Sequence, residues 1–141
     1  MTETGRGAPW RMAMDYYFSK TIDGRFEDAL QRVTAALAEK GFGILSTIDV
    51  RTTLKNRLGV DFRPYVILGA CNPHFAWRAL QAEGKIGTML PCNVVVSETE
   101  PGRIEVAAVD PMASMAAVDN PALTETAIQV RDLLRDIVAR L

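Results

Sequence analysis

Between Pro64 and the pair Asn72-Pro73 lies an unbroken apolar run, Tyr65 to Ala70, and no other stretch narrows the choice of fold as far. A short run of this kind, closed by proline on each side, suits a central strand buried on both faces. Asn72 and Pro73 then match the Ncap and N1 positions of a helix. Asparagine can accept a bond from an orphan N–H, and proline lacks the N–H that would go unpaired. The helix should run to about Glu83 and stop at Gly84. A buried strand that passes directly into a helix requires a sheet with helices laid against it, so the remaining segments are best read as partners for this one.

Met12 to Ile22 carries the aromatic and β-branched residues of a first strand, after a tail through Pro9 that reads as disordered. Phe26, Leu30, Val33 and Leu37 recur at helical spacing, with Asp23 as the cap and Lys40-Gly41 as the stop. Phe42 to Val50 gives a second strand. The polar stretch Arg51 to Leu58 reads as a short helix capped by Asp49 and ended by Gly59, with Leu54 and Leu58 turned inward. Asn93 to Ser97 and Arg103 to Val109 flank a short turn that contains proline and glycine, which predicts an antiparallel hairpin. The connection from Asp110-Pro111, rich in methionine and alanine, is either a loop or a short helix. Asn120-Pro121 repeats the cap logic, and Leu123, Ala127, Val130, Leu134, Ile137, Val138 and Leu141 form one stripe of a long final helix. The expected class is α+β: a single-layer, largely antiparallel sheet covered by helices, in the order β-α-β-(short α)-β-α-β-β-α. Residues 10–141 would form one such domain.

A length of 141 residues suits one core, and a formal net charge of -1 offers no general attraction for nucleic acid or anionic lipid. The first ten residues lack an apolar signal region, and no apolar run approaches the roughly 20 residues of a membrane helix. A cytoplasmic protein with no nucleic-acid or membrane partner is therefore expected. Its two cysteines would stay reduced in that compartment unless they turn over in redox chemistry.

Both cysteines sit in Cys-Asn pairs at element ends, Cys71-Asn72 and Cys92-Asn93, where a scaffold displays functional groups. Cys71 precedes a helix Ncap, a position that favours a thiolate, although a small apolar strand-end residue explains it as well. Cys92 could be its partner. The spacing matches neither a CxxC redox motif nor a zinc pattern, so the fold alone could bring the two sulfurs together. His74, in the first helical turn, could touch an anionic ligand, and Lys55, with Arg51 and Arg57, could greet a carboxylate or phosphate; solvated surface roles are the simpler account of all of these. Asn72 and Asn93 could offer amides to a polar ligand. With one histidine and two cysteines, a closed zinc site lacks an evident fourth ligand, although Asp49 or Asp110 could in principle complete one, and no metal is expected. No phosphate loop, nucleophile motif or acid–base pair names a reaction or a cofactor. Trp77, Phe75 and Tyr65 would wall a pocket around Cys71, a composition that suits a small-molecule site and a homodimer interface alike.

The segments Leu68-Gly69-Ala70-Cys71-Asn72-Pro73 and Leu90-Pro91-Cys92-Asn93-Val94-Val95-Val96 resemble the domain-of-unknown-function 302 family of bacteria and archaea. The similarity includes Gly41-Phe42 leading to Asp49 and Lys55, Val109-Asp110-Pro111-Met112 and the terminal helix, in the family's order. The resemblance implies a compact α+β domain, often a homodimer, and brings no established reaction. The resulting expectation is a homodimeric small-ligand-binding or sensory module, with Asn72, His74, Asn93 and Lys55 available to a ligand near the two Cys-Asn motifs. The alternative is a thiol-based redox or sulfur-transfer enzyme or carrier that uses Cys71 and Cys92.

Overall fold

The computed structural model describes residues 15–141, so the expected tail and the start of the first strand, residues 12–14, lie outside the described residues. Strands β1 (Tyr17–Asp23), β2 (Gly43–Asp49), β3 (Tyr65–Cys71), β4 (Cys92–Glu100) and β5 (Arg103–Val109) form one sheet in the order β1-β5-β4-β3-β2. Every neighbouring pair is antiparallel. Helices α1 (Phe26–Glu39), α2 (Val50–Leu58), α3 (Pro73–Ala82), α4 (Pro111–Ser114) and α5 (Pro121–Ala139) fall between and after the strands, and a 3-10 turn spans Ile86–Met89. The α+β class and the order of elements are as the sequence implied. The undecided connection after Asp110 contains the short helix α4, which Asp110 caps by accepting the Met112 N–H at 2.9 Å.

Strand alternation determines which residues meet the helices. Val66, Leu68 and Ala70 of β3, Val94 and Val96 of β4, and Ile104, Val106 and Ala108 of β5 point to one face and are buried with Val33 and Leu37 of α1 and Leu134, Ile137 and Val138 of α5. All seven residues of the expected α5 stripe are buried. Their alternates Tyr65, Ile67, Asn93, Val95, Glu105, Ala107 and Val109 are half-buried or exposed. β3 is therefore not buried on both faces. Its apolar character supports one packed face and one open one, as antiparallel sheets allow.

Three local expectations change. α1 begins after Arg25 without a side-chain cap, since Asp23 is still in β1, paired with Arg103. Leu58 is 68% exposed, and α2 has no buried residue, because it follows edge strand β2 beyond the core. Asn72 occupies the Ncap position of α3 but makes no capping bond. The other caps hold: Asp49 accepts the Thr52 N–H at 3.0 Å, and Gly59 closes α2 at φ +68°.

Candidate functional site

The end of α1 is where site geometry begins. Phe42 N–H bonds the Leu37 carbonyl and Gly41 N–H that of Ala38, each at 3.0 Å, which is a Schellman closure with Gly41 at φ +87°. This leaves the Lys40 carbonyl facing the β3–α3 junction, where the Asn72 Nδ2 donates to it at 3.3 Å. A Cβ on Gly41 would approach Asn72 Nδ2 to 3.1 Å, so the glycine supplies both the left-handed turn and the clearance. The amide predicted to cap α3 instead fastens two helix ends together. The first-turn N–H groups of α3 are left without a side-chain cap.

Beyond Asn72 lies a narrow cleft of about 40 Å³ between the β3 and β4 ends, α3 and α5. Phe42, Phe75, Ala79, Leu90 and Ala127 line it together with Cys71, Cys92, Asn72 and Thr126, and its surface is almost wholly apolar. The register explains the shared location: Ala70 pairs with Cys92, so Cys71 lies one residue beyond the strand partner of the other cysteine. Cys71 is half-buried and Cys92 buried, and both are free thiols. Burial, and secondarily the nearby Cys71, pushes the Cys92 thiol from an ordinary 9.0 up to about 11. Cys92 is thus a neutral thiol at physiological pH. The Leu90-Pro91 peptide is cis, and the Pro91 ring sits against Gly69, where an added Cβ would lie 2.8 Å from Cγ and also strike the Ser46 hydroxyl.

The far wall is set by Asn120. Its Oδ1 accepts the Ala122 N–H at 3.0 Å and caps α5, while its Nδ2 donates to the Ala82 carbonyl at 2.8 Å, so the start of α5 is pinned to the end of α3. Arg78 extends the same contact by donating to Gln129 at 3.3 Å.

The six candidate residues divide between locations. Cys71, Cys92 and Asn72 share the cleft. His74 is exposed on the first turn of α3 and does not line it. Asn93, one residue past Cys92, is on the opposite face of the sheet. Lys55 is on α2, paired with exposed Asp61 at 3.0 Å. Of the expected aromatic wall only Phe75 lines the cleft; Trp77 is 65% exposed and Tyr65 stands at the other end of β3. Nothing in the sequence marks Phe42, Thr126 and Ala127 as site residues, because their nearness to Cys71 depends on helix packing. Among the described residues, no three histidine, cysteine or acidic side chains gather to hold a metal ion.

A second concavity, of about 420 Å³, lies on the open face, among Tyr17, Arg63, Tyr65, Asn93, Val95 and Glu105. There the Arg63 Nε donates to the Ser97 Oγ at 2.9 Å, and the guanidinium stands 4.5 Å from the Phe62 ring centre and 5.5 Å from that of Tyr65. Ser97 is a buried polar residue, and this bond satisfies it.

The family model for the domain of unknown function DUF302 matches residues 18–141. The chain belongs to the DUF302 family. A crystal structure of an uncharacterized conserved DUF302 protein from Bacillus stearothermophilus resembles this DUF302 chain with a TM-score of 0.81 and 29% sequence identity, over 89% of this chain and 97% of that one. No curated protein matches the chain. The DUF302 match covers all five strands except the first residue of β1, and both cysteine motifs fall within it. Among the described residues no helix is long and apolar enough to cross a membrane.

Proposed function

We propose that this DUF302 protein is a homodimeric small-ligand-binding module whose site is the cleft shared by Cys71, Asn72 and Cys92. The observation that carries this reading is the cleft's composition: an almost wholly apolar lining drawn from β3, β4, α3 and α5 that includes both cysteines and Asn72, beside an α3 start that no side chain caps. An occupant matched to it has a short apolar body and one hydrogen-bond acceptor, the acceptor directed at the N–H groups of α3 and the body among Phe75, Ala79 and Ala127. The elevated Cys92 pKa favours binding over thiol exchange, since a resolving thiol must ionise to attack. The thiol reading keeps one observation of its own, the shared cleft.

A series of short-chain carboxylates, from propionate to hexanoate, tests the reading by thermal stabilisation and by NMR shifts at Ala79 and Ala127. Binding should raise the melting temperature with dose. It should be lost in Ala76→Leu, which fills the cleft from a half-buried wall position, and retained in Cys71→Ser. Shifts that are absent for every member, or unchanged in Ala76→Leu, would sink it.

A further inference from the structure

We propose that the open face of the sheet is the surface through which two copies of this chain pair, with Val95 at its centre and Arg63 of each copy meeting Glu105 of the other. The inference rests on the homodimer part of the reading above and specifies its surface, leaving the cleft outside the contact.

The helices cover one face of the sheet, and α1 and α5 supply its core. The other face presents an apolar and aromatic patch, Tyr17, Tyr65, Ile67, Val95, Ala107 and Val109, bordered by polar Ser19, Thr21 and Asn93 and by the charges of Asp23, Arg103 and Glu105, the apolar centre and polar rim of a protein interface. Five strands of about seven residues span roughly 23 Å by 24 Å, or about 550 Å² in projection. That is some two thirds of the roughly 800 Å² per partner in a standard interface, before side-chain relief is counted. The edge strand β2 is a poorer alternative, because its register shifts between Ile44 and Ser46 and a bulged edge resists strand addition.

Charge placement indicates a second copy as the occupant. Tyr65, Ser97 and Glu105 lie in one row across β3, β4 and β5, with Arg63 over the Tyr65 end. Neither Arg63 nor Glu105 has an ion-pair partner among the described residues. β4 is the middle strand. A two-fold axis along it, between facing sheets, lays β5 of each copy over β3 of the other. Val95 then meets its own copy, Ala107 meets Ile67, and Glu105 comes to Arg63. One surface thus carries both halves of its complement, which a two-fold interface demands.

Sedimentation equilibrium on the full chain, from low to high micromolar, tests this against Val95→Asp, Ala107→Arg, and the single and combined exchanges Arg63→Glu and Glu105→Arg, each checked for folding by circular dichroism. The wild type should be dimeric. A charge at a central contact costs about thirtyfold, and symmetry counts it twice, so Val95→Asp should weaken dimerisation about a thousandfold. Each single exchange should weaken it, and the double exchange should recover most of the loss. A wild type that stays monomeric throughout would overturn both the homodimer reading and this surface. A dimer with unaltered affinity in Val95→Asp and Ala107→Arg would leave the homodimer reading standing and overturn the surface alone. If Val95→Asp fails to fold, Ala107→Arg and the charge exchanges decide the matter in the same way.

Discussion

Alkaline pH should weaken this fold through Cys92, by an amount that one control isolates. Folded Cys92 ionises near 11, against an ordinary 9.0, because burial opposes the thiolate and the nearby Cys71 adds to that opposition. Above pH 9 the unfolded chain therefore holds fewer protons at this position than the folded one, and stability falls as pH rises. The contribution is intact below pH 9, declines between 9 and 11, and is gone above 11. A shift from 9.0 to about 11 corresponds to roughly 3 kcal/mol in full, and about half of that is lost by pH 10. Tyrosines and lysines titrate in the same window, so the quantity to follow is the difference between wild type and Cys92→Ala in urea unfolding at pH 8, 9 and 10. That difference should shrink by about 1.3 kcal/mol from pH 8 to pH 10, a relative midpoint shift of roughly 0.5–1 M urea. A difference that stays constant across this range would refute the assignment of Cys92 as a buried, desolvated thiol. Native-state alkylation in a Cys71→Ser background gives an independent reading: the Cys92 rate at neutral pH should be about two orders of magnitude below that of a free cysteine and keep climbing beyond pH 9.

Three further substitutions test the scaffold by chemical denaturation. Gly69→Ala places a methyl against the Pro91 ring and the Ser46 hydroxyl and should cost about 1–3 kcal/mol, with Ser46→Ala restoring only part because the ring remains; an unchanged midpoint would contradict the packing. Asn120→Asp keeps the oxygen that caps α5 but loses the donor to the Ala82 carbonyl, so it should cost less than Asn120→Ala, which removes both and about 1–2 kcal/mol; equal losses would mean that the cap contributes nothing, and an Asn120→Asp as stable as the wild type that the link to α3 contributes nothing. Leu134→Ala empties a fully buried position between α5 and the sheet and should cost about 3–5 kcal/mol, whereas Leu58→Ala, on a 68% exposed side chain, should stay within about 0.5 kcal/mol; comparable losses would show the core misplaced.

What was legible in the sequence was local. The α5 stripe, the hairpin expected from Asn93 to Val109 and the caps Asp49 and Asn120 depend on spacing or on a side chain's reach to its own backbone, and all are present. Leu58 failed because helical spacing shows which side chains share a stripe but not whether a core lies beneath it. Asn72 failed because its amide is oriented by donating to the Lys40 carbonyl of a different helix, a tie that local sequence does not show, and its oxygen accepts no N–H of α3. The candidate site was only partly legible for the same reason. Cys71 and Cys92 come to one cleft through the pairing of β3 with β4, whereas the adjacent residues Cys92 and Asn93 part to opposite faces because strand side chains alternate. Phe42 and Thr126 reach the cleft from elements whose positions are set by packing.

The sheet order has a consequence for synthesis. Among the described residues β1 is the earliest strand, yet its sole strand neighbour is β5, and Asp23 pairs with Arg103, 80 positions later. At about 5–20 residues per second, a ribosome needs roughly 4–16 seconds to extend the chain from one to the other. Throughout that interval Phe18 and Ile22 have no strand beside them to complete their side of the core. β4 and β5, joined by a tight turn, need no such delay, and β5 then offers its free edge to a strand made long before.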